Sequence, residues 1–160
     1  MDDSLDQLAA RVGAALKARN WMLASAESCT GGWVGEAVTA ISGSSQWYDR
    51  GFISYTNLAK QEMLGVDEAT LEHYGAVSEE TAREMALGAL RHSHAEAVVA
   101  ISGIAGPTGG TPDKPVGTVC FAWATQNGAL YSEKYLFPGD RRDVRHQAVT
   151  MALEGVLALL

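Results

Sequence analysis

Helix-like and strand-like patterns alternate along most of this chain, and a hairpin pattern follows them. Short apolar or β-favouring runs predict strands at residues 21–26, 46–55, 97–101, 116–125 and 129–137. Capped or amphipathic segments predict helices at the N-terminus, over 31–41, around Lys60, after Ser78 and after Asp140. Helices that alternate with strands, followed by a hairpin, indicate a mixed sheet with helices on both faces. We therefore expect an α/β fold with three α/β/α layers.

The size and composition are those of one globular domain. The chain has 160 residues, of which 47% are hydrophobic and 19% charged, and a chain of this length can form one core. We expect a single domain over residues 1–160. The formal net charge of −7 argues against a nucleic-acid-binding protein, because such proteins cluster lysine and arginine against phosphates. A small-molecule function is favoured instead.

Neither secretion nor membrane insertion is indicated by the sequence. The acidic N-terminus lacks the basic and apolar regions of a signal peptide, and no apolar run is long enough to cross a membrane. Cys29 and Cys120 are too few for a disulfide framework and lack the spacing of a metal site. We predict a cytoplasmic protein that uses no metal or other cofactor.

Two segments carry candidate catalytic side chains. Ser28 follows the apolar run at 21–26 and precedes two glycines, so it lies where a strand turns into a helix, a place for a nucleophile. Lys60 lies near the start of a short helix and close to Tyr55. The helix dipole and partial burial there both favour the neutral amine, which is a base. Together the segments indicate a serine hydrolase with a lysine base.

Each of these side chains also has a purely structural interpretation. Ser28 would cap the following helix, Lys60 would be a solvated surface lysine, and Tyr55 would pack at a strand end with its hydroxyl in water. Cys29 is a rival nucleophile, because a helix N-terminus activates a thiolate. We rank it lower, since cysteine hydrolases normally pair with a histidine and no histidine here has a recognisable partner motif.

A glycine- and proline-rich loop follows the strand predicted at 97–101. Ligands collect at the carboxyl ends of strands in open α/β sheets. Glycines such as Gly103 and Gly106 let backbone amides approach a phosphate or a carboxamide closely. The loop matches neither a Walker loop nor a dinucleotide fingerprint, so an ordinary surface loop is the alternative interpretation.

Five segments in order cover nearly the whole chain: AESCTGG at 26–32, SYTNLAK at 54–60, GAVSEETA at 75–82, SGIAGPTGGTPDKPVGTV at 102–119 and FPGDRRDVR at 137–145. Through them the sequence strongly resembles the CinA C-terminal domain family, the nicotinamide-nucleotide amidohydrolases. The resemblance implies metal-free hydrolysis of nicotinamide mononucleotide to nicotinic acid mononucleotide and ammonia, as a step in recycling pyridine nucleotides. Larger family members fuse this domain behind another one, and this chain looks like the stand-alone form.

The resemblance also implies a role for each candidate residue. Ser28 would be the nucleophile and Lys60 its base, while Tyr55 would hydrogen-bond one of them and help relay the proton. Ser102 would donate to the amide oxygen. Arg142 would hold the phosphate by a bidentate contact, with Arg145 as the alternative. The remaining predicted substrate contacts are Gly103, Gly106, Thr30, Gly31 and a second phosphate turn at Ser42, Gly43 and Ser44.

Two other functions and one assembly state complete the expectations. A non-catalytic nucleotide-binding module would use the same loops with Ser28 only as a cap. A phosphotransferase would need ATP and a divalent metal, for which the sequence offers no acidic pair. The last helix has more apolar residues than one face needs, which predicts a homodimer; these residues are Met151, Leu153, Val156, Leu157, Leu159 and Leu160.

Overall fold

One sheet of five strands organises residues 3–160, the part of the chain that the computed structural model describes. The strands are β1 (Leu23–Glu27), β2 (Tyr48–Ile53), β3 (Ala97–Gly103), β4 (Thr118–Thr125) and β5 (Leu130–Leu136). The α-helices are α1 (Asp3–Arg19), α2 (Trp33–Thr39), α3 (Asn57–Leu64), α4 (Glu68–Tyr74), α5 (Glu79–Arg91) and α6 (Arg141–Leu159). A single 3₁₀ turn at Ser44–Gln46 precedes β2.

The sheet is mixed, as predicted. Its strand order is β2-β1-β3-β4-β5. The strand β1 pairs in parallel with β2 and β3, whereas β3 with β4 and β4 with β5 are antiparallel. The carboxyl ends of β2, β1 and β3 therefore meet at the same edge of the sheet.

Helices cover both faces of the sheet. Alternate strand residues point to opposite faces, so Val99 packs with α1, α2 and α6, whereas its neighbour Ala100 packs with α3, α4 and α5. The predicted three-layer α/β/α fold is confirmed. None of the helices within residues 3–160 is both long and apolar enough to span a bilayer.

The face under α5 is built from small side chains: Ala24, Ala26, Ala100, Cys120, Ala122 and Ala124. Small residues on the sheet let the helix approach closely, and α5 meets it with Ala82, Ala86 and Ala89. At Gly88 the helix also touches the end of α3, where an added Cβ would lie 1.9 Å from the carbonyl oxygen of Leu64. This contact fixes the position of α3 against α5.

Element boundaries differ from the sequence predictions in particular places. The helices after Ser78 and Asp140 are capped by these residues, as predicted, and Gly65 ends α3 in a left-handed conformation. The cap of α3 is Thr56, whose hydroxyl accepts the amide of Ala59. The helix α4 was missed, because it is only seven residues long and buries a single leucine, Leu71.

Candidate active site

A cleft of about 380 Å³ opens at the carboxyl ends of the three parallel strands. The residues after β1, after β2 and at the end of β3 line it from below, and the loop after β3 and the start of α6 line it from the side. It is the place that open α/β sheets use for ligands. The polar side chains around it are Ser28, Tyr55, Thr56, Asn57, Lys60, Ser102, Thr108 and Arg141.

Ser28 and Lys60 form a buried polar pair at the floor of this cleft. The Nζ atom of Lys60 lies 3.0 Å from Oγ of Ser28, although the two residues are 32 positions apart in the chain. Lys60 is 1% exposed and Ser28 is 6% exposed. The pair thus brings a hydroxyl and an amine within proton-transfer distance in a site that water reaches poorly.

The environment of Lys60 favours its neutral form. Burial lowers the pKa of the amine, and the nearby Cys29 opposes this to a lesser degree. Nζ donates to the backbone carbonyl of Tyr55 at 3.0 Å, so one of its hydrogens has a fixed acceptor. Nζ also donates to Oγ of Ser28. A neutral amine at this distance can turn its lone pair toward the Ser28 hydroxyl and accept its proton.

Tyr55 contacts the pair through its backbone carbonyl. The sequence instead predicted a proton-relay role for its side chain. The carbonyl oxygen also accepts the hydroxyl of Ser28 at 3.3 Å. The side chain is 58% exposed, and its hydroxyl accepts from Nη2 of Arg141 at 3.3 Å. Because β2 ends before Tyr55 and α3 begins after it, the backbone turns there and directs the carbonyl inward while the ring points to the rim.

Cys29 lines the same cleft but is a poor nucleophile. Its thiol is buried, and burial raises its pKa to about 12, with Arg145 as the largest opposing influence. The thiol therefore remains protonated at neutral pH, and a protonated thiol does not attack a carbonyl group. No histidine is among the residues that line the cleft within the described part of the chain.

The turn that carries Ser28 is held by the buried carboxylate of Glu27. Its Oε1 accepts the hydroxyl of Thr30 at 2.6 Å and the amide of Val34 at 2.9 Å, and its Oε2 accepts the amide of Gly35 at 3.2 Å. Glu27 thereby satisfies free amides at the start of α2. Ser28 does not cap α2, because the N-cap is Gly32, which makes no side-chain capping bond. The hydroxyl of Thr30 faces Glu27 and not the cleft.

The loop after β3 forms the wall opposite Lys60. Ser102 is buried and donates its hydroxyl to the carbonyl of Ala76 at 2.8 Å, so toward the cleft it offers a lone pair and not the predicted donor. Gly103 and Gly106 both line the cleft. Gly106 needs to be glycine, since its φ is +85° and an added Cβ would lie 2.4 Å from Cγ1 of Val116.

Arg141 is the arginine that reaches this cleft. It donates to the carbonyl of Gly106 at 2.8 Å and to the hydroxyl of Tyr55, and so bridges two walls. Arg142 lies outside, with its guanidinium 5.0 Å from the ring of Trp33. Arg145 donates to the carbonyls of Cys29 and Thr30 beneath the Ser28 turn. Neither of the two arginines singled out from the sequence lines the cleft around Ser28.

An adjoining groove of about 640 Å³ does contain all three arginines. It shares Ala105 and Arg141 with the Ser28 cleft, and Arg142 and Arg145 lie on its far side. Gly31 is exposed near Arg145 and lies outside the Ser28 cleft. The positive charge is thus concentrated at one side of the cleft in a protein whose net charge is negative.

The second predicted phosphate turn does not belong to the site. Ser42, Gly43 and Ser44 precede β2, whereas Tyr55 follows it. Because β1 and β2 are parallel, the start of β2 lies at the opposite edge of the sheet from Ser28. These three residues connect α2 to β2 and are not near the cleft.

Two residues of the site were missed in the sequence, Glu27 and Arg141. Glu27 was detectable as a carboxylate that ends an apolar strand directly before Ser28, a place where a buried acid needs several donors. Arg141 was detectable as the first helical residue after the Asp140 cap, close to the end of the glycine loop in the fold. Among residues 3–160 no group of three or more histidine, cysteine or acidic side chains could hold a metal ion.

Known proteins resemble this chain closely along its length. The profile of the CinA C-terminal domain matches residues 5–160. The Escherichia coli K12 protein named nicotinamide-nucleotide amidohydrolase PncC is 54% identical over 153 residues, which are 96% of this chain and 93% of that protein. The Pseudomonas putida protein of the same name is 46% identical and covers 98% of both chains. The crystal structure of the competence/damage inducible protein CihA from Agrobacterium tumefaciens superposes with a TM-score of 0.95 at 45% identity, over 97% of this chain and 94% of that one.

Proposed function

The chain belongs to the CinA C-terminal domain family, and we propose that it hydrolyses nicotinamide mononucleotide to nicotinic acid mononucleotide and ammonia. The names of its relatives support this reaction class, and the resemblance to them covers nearly the whole chain. The observation that carries the proposal is the buried pair of Ser28 and Lys60. An amide resists attack by water, so a nucleophile and a base in one dry site are what the reaction requires.

In the first half of the reaction, Ser28 attacks the carboxamide carbon. The neutral amine of Lys60 takes the proton from the Ser28 hydroxyl as the new C–O bond forms. The carbonyl of Tyr55 holds Nζ during this transfer and then stabilises the ammonium that results. The C–N bond breaks as Lys60 returns a proton to the leaving nitrogen, and ammonia departs from an acyl ester on Ser28.

The second half of the reaction repeats these steps with water. Lys60, again neutral, takes a proton from a water molecule that attacks the ester carbon. The C–O bond to Ser28 breaks, and the Ser28 oxygen recovers its proton from Lys60. The product is the carboxylic acid of the nucleotide, so the overall reaction consumes one water and releases one ammonia.

The remaining cleft residues support binding of a phosphorylated nicotinamide compound. The lone pair of Ser102 suits an N–H of the carboxamide group, because the hydroxyl proton is already donated to Ala76. Arg141 would hold the phosphate, with Gly103 and Gly106 beside it and Arg142 and Arg145 adding positive charge from the adjoining groove. We thus propose that the phosphate is held by Arg141 and not by Arg142, the arginine expected from the sequence. Both cysteines are buried thiols, which supports the proposed cytoplasmic location.

The test is release of ammonia from nicotinamide mononucleotide with a chelator present. We expect turnover by the parent protein and a fall in kcat of roughly 10³-fold or more for Ser28→Ala and for Lys60→Met. The double variant should lose no more than either single one, because the two side chains act as a unit. Cys29→Ala is the matched control on the neighbouring residue and should keep most of the activity.

Three results would contradict the proposal in different ways. Binding of the mononucleotide without ammonia release would favour the non-catalytic module. Loss of activity in Cys29→Ala but not in Ser28→Ala would make the thiol the nucleophile. Activity on an ATP-dependent transfer, abolished by the chelator, would favour a phosphotransferase.

A further inference from the structure

The apolar surplus of α6 is used inside the chain. Leu153 and Val156 are fully buried, and Met151, Leu157 and Leu159 pack against the core that contains α1 and the sheet. These side chains are therefore not available as an exposed apolar surface, which was the reason for predicting a homodimer through α6. Large exposed apolar side chains occur instead on the edge strand β5, where Tyr131 is 61% and Leu136 is 57% exposed. Leu130 and Tyr135 on the same strand are also exposed.

The outer side of β5 presents unpaired backbone groups. The carbonyl of Ala129 accepts the amide of Thr125, and the amide of Phe137 donates to the carbonyl of Gly117, directly before β4. Both groups therefore point inward, toward β4. In an antiparallel pair the inward direction alternates, so residues 130, 132, 134 and 136 direct their N–H and C=O groups outward. No strand of the described chain lies beside them. An exposed edge of this kind is a template for pairing with another chain.

We propose that β5 pairs antiparallel with β5 of a second copy of this chain, with Glu133 at the two-fold axis. The strand reads Leu-Tyr-Ser-Glu-Lys-Tyr-Leu, which is nearly palindromic about Glu133. In this register each outward-facing residue meets another outward-facing residue, so both hydrogen bonds of each pair form. Leu130 lies opposite Leu136, and Tyr131 lies opposite Tyr135. The result is one continuous ten-stranded sheet.

The α5 face of this interface has complementary charge. Lys134 of the second copy would lie opposite Ser132, whose hydroxyl contacts Oε1 of Glu79 at 2.7 Å. Arg83 also contacts Ser132 and is paired with Glu79 and Glu80. The local charge on α5 is thus negative by one, and Lys134 from the second copy neutralises it. The symmetry of the dimer repeats this contact twice.

The α6 face offers a recess for an aromatic side chain. A cleft of about 390 Å³ runs beside β5 and is lined by Trp21, Trp123 and Tyr131, with Arg19 and Glu133 at its polar side. Tyr135 of the second copy, opposite Tyr131, would enter this recess. The two Glu133 side chains face each other on the same side, and like charges directly opposite weaken a strand pair. The register therefore has one identifiable unfavourable contact.

Light scattering after size-exclusion chromatography tests the proposal. The parent protein should be a dimer at about 10 µM, a range in which modest interfaces assemble. Lys134→Pro removes an outward amide without touching the bonds to β4, and Lys134→Glu reverses the charge next to Glu79. Both should shift the protein toward monomer. Lys17→Glu, the same charge change on the exposed surface of α1, should remain dimeric.

Glu133→Gln tests the register, because it removes the like-charge contact. We expect it to lower the dimer dissociation constant by several-fold. Circular dichroism melting curves establish that each variant is folded. A parent protein that is monomeric at this concentration overturns the proposal. So does a dimer that Lys134→Pro and Lys134→Glu leave intact, and a weaker dimer in Glu133→Gln excludes the register centred on Glu133.

Discussion

Lys60 is a large polar side chain held almost entirely out of water, and this has a cost for stability. Burial lowers the pKa of its amine from 10.5, so below the folded-state pKa the protein must bury a charge that the unfolded chain leaves in water. Lys60→Met fills the same space without a charge, and the carbonyl of Tyr55 keeps the hydroxyl of Ser28 as a donor. We expect the Lys60→Met protein to be more stable than the parent by about 1 kcal/mol, or about 2–4 °C in Tm.

The gain in Lys60→Met should depend on pH with a definite sign. The unfolded chain binds the proton up to pH 10.5, whereas the folded chain releases it earlier, so the parent gains stability as the pH rises through this window. The advantage of Lys60→Met should be largest below the folded-state pKa and should shrink above it. Thermal unfolding at several pH values measures this. An advantage that grows with pH would show that folding raises the pKa of the amine and does not lower it.

The rate of ammonia release should depend on the same titration of Lys60, and it should rise as the amine loses its proton. In the proposed mechanism Lys60 acts when neutral, so kcat/KM for ammonia release should rise with pH through its lowered pKa and then level off. Lys60→Arg is the diagnostic variant, because a guanidinium keeps its charge over this range and cannot act as the base. It should lack the rising limb and remain at background activity. A rising limb retained in Lys60→Arg would assign the titration to another group.

Arg141 should determine whether a phosphate on the substrate matters. Its guanidinium lines the Ser28 cleft, whereas Arg142 stacks on Trp33 outside it. We expect nicotinamide riboside, which lacks the phosphate, to be a much poorer substrate than the mononucleotide. Arg141→Ala should lower kcat/KM for the mononucleotide by roughly ten- to hundredfold and leave the riboside value nearly unchanged.

Arg142→Ala is the control for Arg141→Ala, because it removes the same charge one residue further along α6. It should have a clearly smaller effect on the mononucleotide. A larger effect of Arg142→Ala than of Arg141→Ala would indicate that the phosphate binds in the adjoining groove. Equal kcat/KM for the mononucleotide and the riboside in the parent protein would mean that no phosphate site contributes.

At the scale of residues, the sequence could place a side chain in the cleft when its position relative to a strand or helix end was clear. Ser28 follows β1, Ser102 lies near the end of β3 and Lys60 lies near the start of α3. The sequence could not predict side chains whose direction depends on the geometry of a single turn. The pattern could not show that Tyr55 turns its carbonyl inward or that Thr30 turns to Glu27. It also could not choose among Arg141, Arg142 and Arg145, because successive residues of a helix point in directions about 100° apart.

At the scale of elements, the contact between α5 and α3 controls the position of Lys60. Gly88 touches the carbonyl of Leu64, and α3 carries Lys60 one turn earlier. Gly88→Ala forces these backbones apart, so we expect a loss of about 2–3 kcal/mol in the free energy of unfolding and a lowered kcat at temperatures where the protein is folded. Leu87→Ala, at an exposed position on the same helix, should change neither strongly. Chemical denaturation with ammonia-release assays compares the two variants.

The elements themselves were largely predictable, because the strands β3 and β4 are mostly apolar runs and the helices α5 and α6 have clear caps. The short helix α4 carries too little apolar periodicity to be recognised. The turn at 42–44 shows a different limit. A sequence pattern identifies a turn, but only the parallel pairing of β1 with β2 shows at which edge of the sheet the turn lies.

At the scale of the whole molecule, the proposed catalytic cleft and the proposed dimer interface lie on different parts of the sheet. The cleft opens at the ends of β2, β1 and β3, whereas β5 is the opposite edge strand. We therefore expect the Lys134→Pro protein to keep the parent kcat per chain. Ammonia release per chain should also be constant when the parent is diluted through its dimer dissociation constant. A loss of activity on dilution would mean that the second copy contributes to the cleft.

The lowered pKa of Lys60 also makes this protein a target for selective covalent chemistry. A neutral amine reacts with acyl and sulfonyl electrophiles, whereas an ammonium does not. A nicotinamide-shaped electrophile that enters the cleft would meet such an amine beside Ser28, while Lys17 and Lys134 lie on the open surface. Peptide mass spectrometry after brief labelling near neutral pH should find the adduct on Lys60 or Ser28, and excess nicotinamide mononucleotide should protect both. The side chain proposed as the catalytic base would thus also be the attachment site for a covalent inhibitor.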